Sequence, residues 1–164
     1  DDTFTLVLNP SLRLIVVGAV HIAQALLPIA QFAGYSTYLI DPRDSFGSQS
    51  RFPNETILND WPDEAVAKLG LDARTALVTL THDPKLDSPA LAGALNSDAF
   101  YIGALGSKRT HAKRRVQLGE LGFPDDQINR SHGPVGADIG AATPAEIAIS
   151  IVSQITERLR KRAS

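Results

Sequence analysis

The 164-residue sequence contains no cysteine and no methionine. The first absence excludes a disulfide scaffold, a thiolate metal site and a cysteine nucleophile. The second leaves the chain without an initiator residue, as expected of a processed chain or a piece of a longer protein. Long hydrophobic runs are missing too, since every apolar stretch breaks well before the ~18 residues of a membrane span. The start, Asp1-Asp2-Thr3-Phe4, has neither the basic nor the apolar segment of a signal peptide, so the cytoplasm is the expected compartment. Net charge is only −2, which argues against general nucleic-acid binding. No His/Asp/Glu set has metal-ligand spacing and no nucleophile elbow occurs, so neither a metal ligand nor a catalytic residue is expected.

At roughly 150 residues per domain, the length fits a single domain covering residues 1–164. Hydrophobic residues make up 43%, enough for an ordinary core. Charge is unevenly spread: residues 1–100 carry 6 Lys/Arg against 12 Asp/Glu, and residues 101–164 carry 10 against 6. An anion would therefore be drawn to the second part.

Along the chain, apolar strand-like runs alternate with helical spacing. Phe4–Leu8 is a short apolar run ending in Asn9-Pro10-Ser11. Leu12–Val17 is a β-branched run ending at Gly18. Residues 21–33 follow a helical period, with Ile22, Leu26, Ile29 and Ala33 on one face, Gly34 as the stop and a bend expected at Pro28. Ser36–Ile40 reads as a strand, 43–60 as a polar loop and Pro62–Leu69 as a short helix. Ala73–Leu80 is a buried strand, Ser88–Leu95 a helix and Ala99–Ile102 a strand. Residues 107–121 form a basic helix and 128–132 a last short strand. Thr143-Pro144-Ala145-Glu146 is a capping box opening an amphipathic helix along Ile147, Ile151, Ile155 and Leu159. This alternation predicts a Rossmann-like α/β fold, a three-layer sandwich around a mostly parallel sheet.

Ligands of such sheets bind beyond the carboxyl ends of the strands. The first loop there is Gly18-Ala19-Val20-His21-Ile22-Ala23, with Asp41 lying 23 positions after Gly18. A dinucleotide fingerprint expects an acid about 20 residues on, for the ribose hydroxyls. Arg43 adds a cation suited to a 2′-phosphate. Val20, however, stands where a glycine normally lets the backbone approach the pyrophosphate, which disfavours NAD(P). The alternative is a tight strand–helix turn with Asp41 as a cap, and His21 either faces a ligand or covers the first helical turn.

Two further strand ends carry polar groups. Thr81-His82-Asp83 crowds three hydrogen-bonding side chains at a strand tip. His82 and Asp83 either form an acid–base pair, or Asp83 caps a turn before Pro84. In Gly103-Ala104-Leu105-Gly106-Ser107-Lys108-Arg109, two glycines free the backbone and Ser107 is an N-cap. Lys108 and Arg109 put cations in a first turn that normally prefers acids, which suggests a bound anion. Lys113, Arg114 and Arg115 are expected on a solvated face. Arg51 is a candidate lid cation, and the Gly-rich loop 133–140, with Asp138 its only charge, either approaches a ligand or makes turns.

Val17-Gly18-Ala19-Val20-His21-Ile22-Ala23, Ile40-Asp41-Pro42-Arg43, Arg51-Phe52-Pro53, Thr81-His82-Asp83, Tyr101-Ile102-Gly103-Ala104-Leu105-Gly106-Ser107 and Pro144-Ala145-Glu146-Ile147-Ala148 occur in that order across nearly the whole chain. Together they resemble the C-terminal Rossmann domain of the xanthine dehydrogenase accessory protein family (XdhC/CoxI). The resemblance implies a chaperone that holds molybdenum cofactor (molybdopterin). Such a chaperone helps load the sulfurated cofactor into molybdenum hydroxylases of the xanthine dehydrogenase or CO dehydrogenase type. It implies a molybdenum hydroxylase such as xanthine dehydrogenase and a cysteine desulfurase as partners, and a separate N-terminal domain. A homodimer is expected because such folds often pair. Family members often carry glycine where Val20 stands.

On this reading the crevice between the loops after Val17 and Ile102 holds the cofactor. Gly106, Ser107, Lys108 and Arg109 bind its phosphate, while His21, Asp41, Arg43 and His82 contact the polar ring or a nucleotide extension. Gly18, Ala19, Val20, Thr81, Asp83 and Gly103 complete the binding set. Two rival classes remain. One is an NAD(P)-dependent oxidoreductase, with Asp41 or Arg43 selecting the cofactor and His82 donating a proton. The other is a ligand-free interaction domain docking through the basic helix 107–121.

Overall fold

A computed structural model describes residues 3–6 and 9–162. Residues 3–6 have no regular secondary structure, and Val7 and Leu8 of the expected first run lie outside the described residues. Six strands form one parallel sheet: β1 Arg13–Val17, β2 Ser36–Ile40, β3 Thr56–Leu58, β4 Thr75–Thr79, β5 Tyr101–Ala104 and β6 Ser131–His132. Their order is β3-β2-β1-β4-β5-β6. The chain fills one half of the sheet outward from β1 and then crosses to fill the other, so the topological switch point lies between β1 and β4. In such sheets that is where a crevice opens.

Parallel strands are covered on both faces and read as continuous apolar runs. Leu14–Val17 are fully buried, and so is every residue of β4. On one face Leu14, Val16, Leu39, Ala76 and Val78 pack against α1 (His21–Phe32) and α6 (Pro144–Lys161). On the other, Ile15, Val17, Ile40, Leu77 and Ile102 meet α2 (Pro62–Leu69), α3 (Pro84–Leu95), α4 (Lys108–Glu120) and α5 (Asp125–Ile128). The result is the expected Rossmann-like three-layer sandwich.

Several elements differ from expectation for identifiable reasons. The polar stretch 43–60 contains β3, whose three residues are too few to show a period. α3 starts at Pro84 rather than Ser88, because Asp83 accepts the Lys85 amide as N-cap and Pro84 supplies a pre-set φ. The single-turn α5 is too short to leave a helical period in the sequence, and the last strand keeps only Ser131–His132 of 128–132. α1 runs through Pro28, whose missing N–H leaves the Gln24 carbonyl on an exposed side where water can satisfy it. The buried stripe of α1 is Ile22, Ala23, Leu26, Leu27 and Ala30, with Ile29 only partly buried and Ala33 exposed as the C-cap. α6 opens with the predicted capping box: Thr143 accepts the Glu146 amide, and Glu146 accepts the Thr143 amide.

Candidate functional site

The strand ends at the switch point are drawn together by backbone geometry. Gly18 ends β1 at a φ of +114°, and a Cβ there would meet Thr81 Cγ2 at 2.8 Å. The loop after β1 therefore lies directly on the loop after β4. His82 itself has a φ of 62°, in the left-handed region that non-glycine residues rarely occupy. Its loop is fixed by Asp87, whose Oδ1 accepts the Thr81 hydroxyl at 2.6 Å. The Thr81 hydroxyl oxygen in turn accepts the Asp83 amide at 3.0 Å.

These loops border a cavity of about 230 Å³ lined by Val20, His21, Leu80, Thr81, His82 and Leu105. Leu105, in the loop after β5, also lines a larger cavity of about 470 Å³ beside it. The walls of that second cavity are Lys108, the loop from Pro134 to Ala141, and Ile147 and Ser150 of α6. Both cavities are lined more by apolar than by polar surface. A volume of about 470 Å³ lies within the range of small-molecule sites, roughly 300–1,000 Å³.

The expected site residues divide into three groups. Val20, His21, Thr81, His82 and Lys108 line the two cavities. Gly106 and Ser107 shape the start of α4, where the Ser107 hydroxyl caps the Thr110 amide at 3.1 Å, and Arg109 is exposed beside Lys108. Neither Lys108 nor Arg109 forms an ion pair among the described residues.

The second group is internally engaged. Asp41 is fully buried and its carboxylate accepts four hydrogen bonds. One comes from the Ala19 amide at 2.8 Å, one from the Arg43 amide at 3.0 Å, and two from the Arg43 guanidinium at 2.9 and 2.8 Å. Burial alone would raise its pKa, but these donors outweigh burial and hold it below the ordinary carboxylate value. Arg43 also lies 4.0 Å over the Phe46 ring, and Arg51 donates to the carbonyls of Ala19 and Phe46 at 2.8 Å each. Asp41, Arg43 and Arg51 thus fasten the 43–55 loop to the first βα turn.

The third group serves packing and capping. Asp83 is the N-cap of α3 rather than the partner of exposed His82. Gly103 lies in buried β5, where an added Cβ would come within 2.5 Å of Val135 and 2.9 Å of Tyr101. Its missing side chain makes room for those neighbours.

The 133–140 loop, whose glycines left ligand approach and turns both open, forms a wall of the larger cavity. Arg114 was expected on a solvated face and is instead 6% exposed, while its neighbour Lys113 is exposed as anticipated. Among the described residues, no group of three or more His, Cys, Asp or Glu is placed to hold a metal ion. No helix there is long and apolar enough to cross a membrane.

Residues 14–155 match the family described as the XdhC Rossmann domain. The chain belongs to that family. The XdhC domain is 31% identical over 147 residues to the molybdenum cofactor insertion chaperone PaoD of Escherichia coli, covering 90% of this chain and 40% of that protein. It is 30% identical over 158 residues to a Bacillus subtilis protein named as a probable xanthine dehydrogenase subunit, covering 96% of this chain and 46% of the relative. Among solved structures, a protein described as a xanthine dehydrogenase from Bacillus halodurans superposes with a TM-score of 0.79 at 33% identity. That match covers 94% of this chain and 45% of the other. The XdhC domain therefore spans less than half the length of each of these three proteins.

Proposed function

We propose that this XdhC domain binds molybdenum cofactor within a protein that matures molybdenum hydroxylases of the xanthine dehydrogenase type. The observation that carries the proposal is the double crevice at the carboxyl end of the sheet, joined at Leu105. Its size and donor set suit the cofactor. Leu80, Val20 and Leu105 offer apolar surface to a flat ring, and Thr81, His82 and His21 offer polar contacts at its edge. Lys108 and the start of α4 offer a cation and helix amides to a phosphate. The names of the Escherichia coli and Bacillus subtilis relatives are consistent with this assignment.

The bound group supplies the redox chemistry of the enzyme that receives it. The residues of this chain bind, orient and shield it, with no catalytic step assigned to them. In this reading the domain takes part in loading sulfurated cofactor and works in the cytoplasm as a homodimer. Its partners are a molybdenum hydroxylase and a cysteine desulfurase.

A dinucleotide fits less well. Val20 crowds the pyrophosphate position, and the Asp41 carboxylate that would hold the ribose is already saturated by Ala19 and Arg43. The test is direct binding of purified molybdenum cofactor, followed by equilibrium dialysis. Lys108→Ala/Arg109→Ala and His82→Ala should each weaken binding about tenfold, the first with a flatter salt dependence. Unchanged affinity in both variants would overturn the assignment.

A further inference from the structure

A separate cavity opens between α3 and α4 and shares His82 with the switch-point crevice. It has a volume of about 100 Å³ and is lined by His82, Ser88, Thr110, Lys113, Arg114 and Gln117, together with Pro84. No acidic side chain is among its lining residues. Two of the walls are cations and two are hydroxyl donors, a combination that selects an anion.

Arg114 is the unusual member. It is 6% exposed, and its Nη2 donates to the Leu105 carbonyl at 3.2 Å. Its Nη1 is buried with no hydrogen-bond partner among the described residues. Asp87, 1% exposed, is the acid that Arg114 feels electrostatically. Its Oδ1 is committed to the Thr81 hydroxyl, its Oδ2 is likewise buried without a hydrogen-bond partner, and no ion pair within 4.0 Å joins the two side chains. Burial also pushes the Asp87 pKa up, which weakens it as a counter-charge. A buried guanidinium nitrogen without an acceptor is costly, and such groups are rarely left so.

We propose that this cavity binds a tetrahedral oxyanion, either inorganic phosphate or the terminal phosphate of a monoester. The lining decides the class: two cations and two hydroxyls with no acidic side chain suit an oxyanion, and a small cavity of about 100 Å³ suits a compact one. The planar guanidinium of Arg114 and the ammonium of Lys113 supply the charge, and the Ser88 and Thr110 hydroxyls supply neutral donors. His82 lines both this cavity and the 230 Å³ cavity, so the two sites share one residue. The site does not depend on molybdenum cofactor and lies apart from Lys108 and Arg109.

The experiment is a titration of the ¹⁵N-labelled chain with inorganic phosphate, read by amide shifts, with chloride holding the ionic strength constant. Saturable shifts are expected at Ser88, Thr110 and Lys113. Affinity should fall about tenfold in Lys113→Ala and in the charge-balanced pair Asp87→Asn/Arg114→Met. Lys108→Ala/Arg109→Ala should keep it within about twofold of wild type. Lys113 is exposed, so its variant decides the question should the double variant fail to fold. A parallel titration with glycerol phosphate separates the sources: equal binding marks a site open to esters, and binding of inorganic phosphate alone marks a closed one. Shifts that do not saturate, that cluster at residues 107–109, or that survive both Lys113→Ala and Asp87→Asn/Arg114→Met would overturn the proposal.

Discussion

The buried carboxylate of Asp41, at the end of β2, accepts the amide of Ala19 just beyond the end of β1 at 2.8 Å. The acid that a nucleotide reading would aim at a ribose instead holds the first βα turn in place. Removing one member of a buried, hydrogen-bonded charge pair typically costs several kcal/mol. Asp41→Ala should therefore lower stability by about 3 kcal/mol in urea unfolding. Because the folded pKa is depressed, this contribution is present above the unfolded value of 3.8 and disappears as the pH falls through the lower folded value. Wild type and variant should converge in strong acid.

A second pH effect comes from His132, whose ring stacks on Tyr101 with centroids 4.8 Å apart and planes 8° from parallel. Burial lowers its pKa, helped by the positive charge of Arg158 and by His111. The neutral imidazole is thus the form that folds. Its contribution is present above the unfolded value of 6.5 and is lost as the pH falls through the lower folded value. His132→Phe keeps the stacked ring and removes the titration. Melting curves at pH 7.5 and 5 should differ less for the variant than for wild type.

Gly103 offers a test of packing against ligand approach. Gly103→Ala forces a methyl into space held by Val135 and Tyr101, at a cost of about 2 kcal/mol. Val135→Ala in the same chain should recover part of that loss, measured by a double-mutant cycle in denaturant. Independent, additive costs would contradict the packing role.

Val20→Gly separates the nucleotide reading from the one favoured here. Restoring the fingerprint glycine removes a steric block and leaves Asp41 saturated by Ala19 and Arg43. Calorimetric titration with NAD or NADP should detect no binding in either wild type or variant. Micromolar affinity in the variant would mark the loop as a lapsed dinucleotide site.

Local chemistry made much of the fold legible. Thr143 and Glu146 sit three residues apart and cap α6 as their types predict. The β-branched and aromatic run Ser36–Ile40 gave the bounds of β2. Asp83-Pro84 carried the start signal of α3, although the apolar spacing pointed to Ser88. The site was less legible because its meaning depends on long-range neighbours. The 23-residue spacing from Gly18 to Asp41 was correct as a spacing. Which donors saturate the carboxylate depends on where Ala19 and Arg43 come to lie around it. Arg114 sits among other cations on a polar helix, and its burial arises only in the folded chain, where it donates to the Leu105 carbonyl. The 470 Å³ cavity likewise requires the 133–140 loop to fold back toward Leu105.

The most direct measurement of cofactor recognition is a thermal-shift titration of this chain with molybdenum cofactor, run beside NAD, NADP and AMP. At a hundredfold excess over Kd, a ligand that binds only the folded state adds about 2.7 kcal/mol, enough to raise Tm by several degrees. The account predicts such a rise with molybdenum cofactor alone, reduced in Lys108→Ala/Arg109→Ala. Stabilisation by a dinucleotide, or no shift with molybdenum cofactor, would contradict it.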